Sequence, residues 1–425
     1  MNIIVMGEDL NAKVAASMLA SVGNQVWVTS EESLLTQFNS EPGLTELYQR
    51  QKSCGRIVSI AKSELSEKRA PAETDFVIIS ETSDVIAEIE CLRDSSCVSK
   101  SIFVILSPSR IGEAIGLKQK FFKDYEEVSV ACIPLLIREG RALEDFSRPE
   151  NIIAGIDDLK SLAKVESLFH PFNRVTNVLK FVSTKEAEFT CFAGHAMLAT
   201  RLSFMNEMAS LAERTDVDID VVRQCIGLDP RIGQEYLYPG CGFGGKALEQ
   251  NVKRVATQLR QRNDDLGLLD IVLRINDRQK ELLFRKIWKF FNGELENKTI
   301  AIWGAAFKPG TSNINDAPCL KLIELLTAQG ALVKVYDVQA SSKLIDYFKK
   351  VDSVSVVDSS LKAIERAEVL AICTEWKEFW SPNYKLLAEH LKSKTIFDGR
   401  NILQPQLAEQ HGLKYFGIGR NKVTR

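Results

Sequence analysis

Residues 238–251 read YPGCGFGGKALEQN, in which Gly242, Gly244 and Gly245 surround Phe243. Such a run lets backbone N–H groups approach a ligand closely. The residues after it, Lys246 to Asn251, offer no obvious nucleophile. Cys241 lies just before the last glycines, six residues ahead of Ala247. Lys246 reads either as a Schiff-base lysine or as a loop cation that contacts phosphate. Cys191 and His195 are four apart in a helical pattern and so share one helix face. A Cys–His couple can form a reactive thiolate. Its other reading is a small buried thiol beside a hydrogen-bonded interior histidine. No third ligand is in view, so the pair does not make a metal site.

Elements must hold these groups in place. NIIVMG (2–7), QVWVTS (25–30), TDFVIIS (74–80), SIFVILS (101–107) and VSVACIP (128–134) are apolar runs separated by helical patterns, the first helix from about Lys13 to Val22. Continuous β-branched runs between helices predict a parallel sheet covered on both faces, a doubly wound α/β fold. From about 185 to 280 the pattern turns helical, beginning with a long helix over about 185–213. Ser183-Thr184-x-x-Ala187 offers a cap region there without a full capping box. Strand–helix alternation restarts after the linker NGELENK (292–298), with strands at KTIAIWGAAFK (298–308), ALVKVYDV (331–338), AEVLAICT (367–374) and KTIFDGR (394–400). The expected organisation is a Rossmann-like domain over 1–180, a helical segment over 181–290 and a second Rossmann-like domain over 291–425. A dinucleotide is expected in the first domain and a second ligand in the crevice between the two.

The chain has 425 residues, 45% hydrophobic and 26% charged, with a net charge of −2. That balance is ordinary for a soluble globular protein and supplies no field for nucleic acid or an anionic membrane. No apolar run reaches the ~18 residues of a membrane span, and the N-terminus reads as strand, turn and helix rather than as a signal peptide. The nine cysteines include no CxxC pair, so free thiols in a reducing cytoplasm are expected, with neither a zinc site nor a disulfide framework.

The whole chain resembles the UDP-glucose and GDP-mannose 6-dehydrogenases. The resemblance is carried by REGRALEDFSRPENIIAG (138–155), STKEAEFTCFAGHAMLATRLSFMNEMASL (183–211), GLDPRIG (227–233), GCGFGGK (240–246), GAAFKPGT (304–311), VYDV (335–338) and FDGRN (397–401). The resemblance implies oxidation of the C6 alcohol of a nucleotide sugar to a carboxylate with two NAD. It also implies a loop G-x-G-F-G-G-S-C-F-x-K-D, whose cysteine holds the intermediate as thiohemiacetal and thioester. A helix lysine and asparagine stabilise the oxyanion, and an aspartate and a glutamate handle water and protons.

Carried over position by position, that chemistry is gone. The cysteine falls at Ala247, the aspartate at Asn251, the helix lysine at Cys191, the helix asparagine at His195 and the glutamate at Leu135. The cofactor fingerprint GxGYVG reads GEDLNA (7–12) and keeps only Gly7. Asp9 puts bulk and negative charge where a diphosphate would lie, about 4 kcal/mol for each like-charge pair at ~4 Å. The ribose-binding acid is replaced by Thr29 or Ser30, with Glu31 slightly out of register, and the loops SETSD (80–84) and SPSRIGE (107–113) depart from the family. The resemblance preserves more on the nucleotide-sugar side. Arg231 matches an arginine inserted into the neighbouring subunit's sugar site, and Tyr236 and Leu237 match a loop lining uridine and sugar. Gly242, Phe243, Gly244 and Gly245 match the glycine turn, and Lys308 and Arg400 the basic residues of the second domain. Two cations and an aromatic suit a diphosphate and a uridine. The family's D-x-x-R-E after FKP is lost in Ser312 to Asp316. The expectation is a cytoplasmic homodimer, joined through the long helix, that binds a UDP-sugar without oxidising it. It would regulate or scaffold polysaccharide synthesis, with a protein partner there. Two alternatives stay open: a nucleotide-sugar oxidoreductase making UDP-glucuronate, or a different reaction in the same cleft.

Overall fold

The computed structural model describes residues 1–29, 41–61, 71–81, 85–93, 96–174, 177–260 and 266–420. The chain divides into two compact units, Met1–Ala193 and Gly194–Arg425. In the first, the strands are β1 (Asn2–Met6), β2 (Gln25–Val28), β3 (Ile57–Ser59), β4 (Phe76–Ile79), β5 (Ile102–Ile105), β6 (Ser129–Cys132), β7 (Ile152–Gly155) and β8 (Leu179–Val182). They lie in the order β3-β2-β1-β4-β5-β6-β7-β8. Ile3, Val5, Phe76, Ile78, Ile102 and Val104 enter one apolar cluster, and Ile4, Met6, Val77, Ile79, Phe103 and Ile105 another. Alternate residues of each strand therefore feed cores on opposite faces, as a doubly wound sheet requires.

The sheet is not wholly parallel, because β6 and β7 pair antiparallel. Between them the chain forms one short helix, Ala142–Ser147. An antiparallel neighbour needs no crossover, and the apolar runs alone do not encode strand direction.

The second unit holds β9 (Thr299–Trp303), β10 (Leu332–Tyr336), β11 (Val354–Val356), β12 (Val369–Ile372), β13 (Thr395–Asp398) and β14 (Lys414–Phe416). Every pairing is parallel in the order β11-β10-β9-β12-β13-β14. The order reverses between β9 and β12, as it does between β1 and β4 in the first unit. Ligands of such sheets bind outside the carboxyl ends of the strands at this reversal.

The long helix spans Thr184–Thr215. Its start does carry a full capping box, one residue earlier than the spacing to Ala187 suggests. Ser183 N–H donates to Glu186 Oε2 at 2.8 Å and Glu186 N–H donates to Ser183 Oγ at 3.3 Å. The reciprocal partner at the third helical position is the glutamate, not the alanine after it. Further helices cover Ile219–Gly227, Lys246–Arg260, Leu268–Lys280 and Leu282–Phe290. Among the described residues no helix is long and apolar enough to cross a membrane.

Candidate functional site

In the first unit the turn after β1 begins at Gly7, whose φ is +153°. A Cβ there would meet the Ala12 Cβ at 2.8 Å and the Ser80 Cβ at 3.0 Å. Ala12 is small enough to keep the close turn–helix packing that the third glycine of the fingerprint provides. Asp9 is the N-cap of the helix Leu10–Ser21. Its Oδ1 accepts the Ala12 N–H at 3.1 Å, and its Oδ2 accepts the hydroxyls of Ser80 at 2.8 Å and Ser107 at 3.3 Å. Burial pushes the Asp9 carboxyl up, against the hydrogen bonds from Ser80 and Ala12 that favour the charged form. Thr29, after β2, is buried and carries no carboxylate. Ser30, Glu31 and 82–84 of the segment SETSD lie outside the described residues.

In the second unit the glycine-rich stretch is held from several sides. Gly240 N–H donates to Asn206 Oδ1 at 2.9 Å, and Gln279 Nε2 donates to the Gly240 carbonyl at 2.6 Å. Asn276 accepts the Phe243 N–H at 2.8 Å and donates to its carbonyl at 3.0 Å. Gly245 N–H donates to the Asn315 carbonyl at 3.0 Å, so the altered segment 312–316 docks the loop through its backbone. The glycines are needed by protein atoms. A Cβ on Gly244 would stand 2.4 Å from the Asp316 carbonyl oxygen, one on Gly245 2.8 Å from the Phe307 ring, and one on Gly242 3.0 Å from Lys280 Cγ. The loop is thus rigid before any ligand is considered.

Arg400 follows β13 beside this loop. A Cβ on Gly240 would lie 3.1 Å from Arg400 Nη1. Nε donates to the Cys373 carbonyl at 2.7 Å and lies 3.2 Å from Glu375 Oε2. Nη2 is buried and makes no hydrogen bond. Burial works against the Arg400 charge, but the Glu375 carboxylate beside it helps hold the guanidinium more firmly protonated than usual. Lys308 Nζ lies 5.7 Å over the Phe307 ring, the ring that faces Gly245. The structure therefore brings Arg400, the glycine loop and the Phe307–Lys308 segment together.

The other predicted binding residues are placed differently. Leu237 is buried in the second unit's main core, and Phe243 packs with Ala199, Val252, Ala256, Leu269 and Val272. Tyr236 is half-buried in the left-handed region at φ +58°. Arg231 is exposed and pairs bidentately with Asp229, with Nη2 2.6 Å from Oδ2. Its loop is held by Arg201, which donates to the carbonyls of Ile232, Gly233 and Glu235.

Ala247 is exposed on the first turn of the helix Lys246–Arg260. The Lys246 side chain lies outside the described residues. One helical turn beyond Ala247, Asn251 Nδ2 lies 2.9 Å from His195 Nδ1, and Arg254 Nη1 donates to Asn251 Oδ1 at 3.0 Å. Because Oδ1 accepts from Arg254, Nδ2 must donate to the histidine. Nδ1 then accepts, and the ring proton sits on Nε2. Burial pushes the His195 imidazole below its ordinary value, which keeps it neutral at pH 7. Leu135 packs half-buried against the first unit's core. Cys191 is buried. The hydrogen bond with Cys373, and then burial, push the Cys241 thiol well up, so it is not a thiolate at neutral pH. Among the described residues no group of His, Cys, Asp or Glu is arranged to hold a metal ion.

Asn206, Asn276 and Gln279, which hold the loop, escape the motif reading because they lie on helices rather than in the loop. Their one signal is polarity on an apolar face. Asn276 and Gln279 share a face with Val272 and Ile275, and all four are buried.

Residues 185–278 match the central domain, and residues 301–405 the UDP binding domain, of the UDP-glucose/GDP-mannose dehydrogenase family. The UDP-glucose 6-dehydrogenase of Pseudomonas aeruginosa is 33% identical over 447 residues, covering 100% of this chain and 98% of that protein. A putative UDP-glucose 6-dehydrogenase of Bacillus subtilis is 29% identical over 99% of this chain and 100% of its own length. Among solved structures, the UDP-glucose dehydrogenase of the archaeon Pyrobaculum islandicum superposes with a TM-score of 0.83 at 25% identity, covering 99% of this chain and 98% of that one.

Proposed function

The chain belongs to the UDP-glucose/GDP-mannose dehydrogenase family, and from that premise we propose that it binds a nucleotide sugar without oxidising it. Its role is then regulatory or structural in polysaccharide synthesis. The observation that carries this reading is Ala247. A methyl group stands where the resemblance requires the thiol that forms the thiohemiacetal, and the nearby Cys241 is buried with its proton firmly held. Without a thiolate the oxidation has no covalent route to a thioester. Asn251, His195, Cys191 and Leu135 remove the accompanying proton and oxyanion chemistry as well.

Support for retained binding comes from Arg400. A buried guanidinium nitrogen without a hydrogen bond, at the carboxyl end of a doubly wound sheet, suits a phosphate oxygen. Lys308 on the neighbouring segment supplies a second cation. Arg231, exposed on its loop, serves the sugar site of a second copy. The long helix joins the two copies through Met197, Phe204 and Leu211, which are seven residues apart and exposed.

Calorimetric titration of UDP-glucose and UDP into the protein tests the reading. Saturable binding is expected, and Arg400→Ala should weaken it by about tenfold or more, the loss of one charge-assisted hydrogen bond. The same preparation should show no UDP-glucose-dependent reduction of NAD above a blank without protein. Ala247→Cys alone should not restore it, because the other positions remain changed. Sugar-dependent NAD reduction by the unaltered protein would overturn the non-catalytic reading.

One observation favours a second reading, a different reaction in the same cleft. His195 is held by Asn251 as a neutral ring with its proton on Nε2, a form able to donate a hydrogen bond to a developing oxyanion. Replacing His195 by alanine should then abolish any turnover found with a nucleotide sugar.

A further inference from the structure

The first βα turn of a dinucleotide-binding sheet normally leaves its helix N-terminus open to the pyrophosphate, with the backbone N–H groups of the first turn aimed at it. In this chain one of those donors is already taken, and two hydroxyls beside the turn are taken with it. The Ala12 N–H points at Asp9 Oδ1, while the Ser80 and Ser107 hydroxyls, just past β4 and β5, point at Asp9 Oδ2. Asn11 Nδ2 donates to Ser107 Oγ at 2.9 Å and ties the same helix turn into the group. The Glu8 N–H donates to the Glu81 carbonyl at 3.0 Å, pinning the turn to the far side of the strand reversal. Three donors from three separate segments, the Ala12 N–H and the Ser80 and Ser107 hydroxyls, converge on one internal carboxylate.

Other helix starts in this unit are closed in the same way. Glu188 accepts the Ala114 N–H at 2.8 Å and the Gly112 N–H at 2.5 Å at the start of Glu113–Phe121. Glu41 accepts the N–H groups of Gly140 and Ala142, each at 2.6 Å, around the start of Ala142–Ser147. In the second unit a carboxylate gathers backbone donors in the loop after β9, ahead of any helix: Asp337 Oδ2 accepts the Ala305 N–H at 2.6 Å and the Ala306 N–H at 2.9 Å.

We propose that Asp9 stands in for the pyrophosphate, so that the first unit keeps the form of a dinucleotide domain with its phosphate site closed by the chain's own carboxylate. Two effects act together. The Asp9 oxygens occupy the donors, and the carboxylate repels an incoming diphosphate within the same turn. The residues around Gly7 therefore do not fit NAD. This bears on the non-catalytic reading but is independent of it, because it concerns binding in the first unit and not the absent thiol.

The test is calorimetric titration of NADH into the full-length protein and into Asp9→Gly and Asp9→Ser variants, each checked by circular dichroism and thermal melting. Serine keeps an N-cap acceptor for the Ala12 N–H, so it serves if glycine loosens the helix. No saturable binding of NADH is expected for the unaltered protein at millimolar concentration. Saturable binding, tighter by about tenfold or more, is expected once the like charge is gone. The proposal is overturned if the unaltered protein binds NADH as tightly as the folded variants, including the case in which none of them binds. UDP-glucose titrated in parallel should bind all three proteins alike. Loss of that binding in all three would count against retained nucleotide-sugar binding and leave the Asp9 result standing.

Discussion

At Gly244 a methyl group would stand 2.4 Å from the Asp316 carbonyl oxygen, and the neighbouring backbone cannot give way as a flexible side chain would. Gly244→Ala should therefore cost about 1–3 kcal/mol of stability by overpacking, read as a lower midpoint in urea with no ligand present. A loss seen only in nucleotide-sugar affinity, at unchanged stability, would mean that the glycine serves the ligand. The same distinction governs the polar positions. His195 and Asn251 are a satisfied pair whose proton positions follow from Arg254, so both stay ordered without substrate. Arg400 differs in that one buried nitrogen is left without a hydrogen bond, and such an atom is a cost unless something fills the place.

The helices that frame the loop are joined by charges. Glu249, buried on Lys246–Arg260, pairs with Lys280 of the next helix at 2.6 Å and with Lys253 at 2.7 Å. Removing the carboxylate leaves Lys280, itself only 11% exposed, without its partner. Glu249→Ala should cost about 3 kcal/mol, whereas the apolar double change Glu249→Leu with Lys280→Met should recover most of it. At the other end of the same helix pair, the Arg260 hydrogen bond holds the Asp270 carboxyl below its usual range. A depressed carboxyl stabilises the fold above its unfolded value and loses that contribution as pH falls through the folded one. The melting temperatures of the unaltered protein and Asp270→Asn should therefore differ at pH 7 and converge in acid. A gap that stayed constant into strong acid would remove the ion pair as its cause.

At the scale of the whole molecule, Met197, Phe204 and Leu211 repeat every seven residues on the long helix and are 62%, 50% and 49% exposed. An exposed apolar stripe on a 32-residue helix is what a second copy of the same helix would cover. Light scattering at micromolar protein should give a dimer, and Met197→Asp combined with Phe204→Asp should give a folded monomer. A monomer before substitution would end the dimer proposal and with it the trans role of Arg231. The family assignment does not depend on that result, since it rests on identity along the full chain.

Much was legible from residue order alone. Runs of β-branched residues become strands because each must bury both faces, so β1, β4 and β5, and β9, β10, β12 and β13 of the second unit, follow from the pattern, whereas the short edge strands β11 and β14 do not. That position 247 carries alanine and not cysteine is a covalent fact, visible without coordinates. What residue order could not decide is which distant groups meet. The antiparallel β7 depends on where the chain returns after β6, and the hold of Asn206, Asn276 and Gln279 on the loop depends on helices packing against it. Asp9 marks the boundary most clearly. Its charge beside a phosphate turn is visible in GEDLNA. Its contacts with Ser80 and Ser107, 71 and 98 residues away, form only when β1, β4 and β5 lie side by side. Residue types set which interactions are available, and the tertiary structure decides which donors each acceptor can reach, because hydrogen bonds act only over a few ångströms.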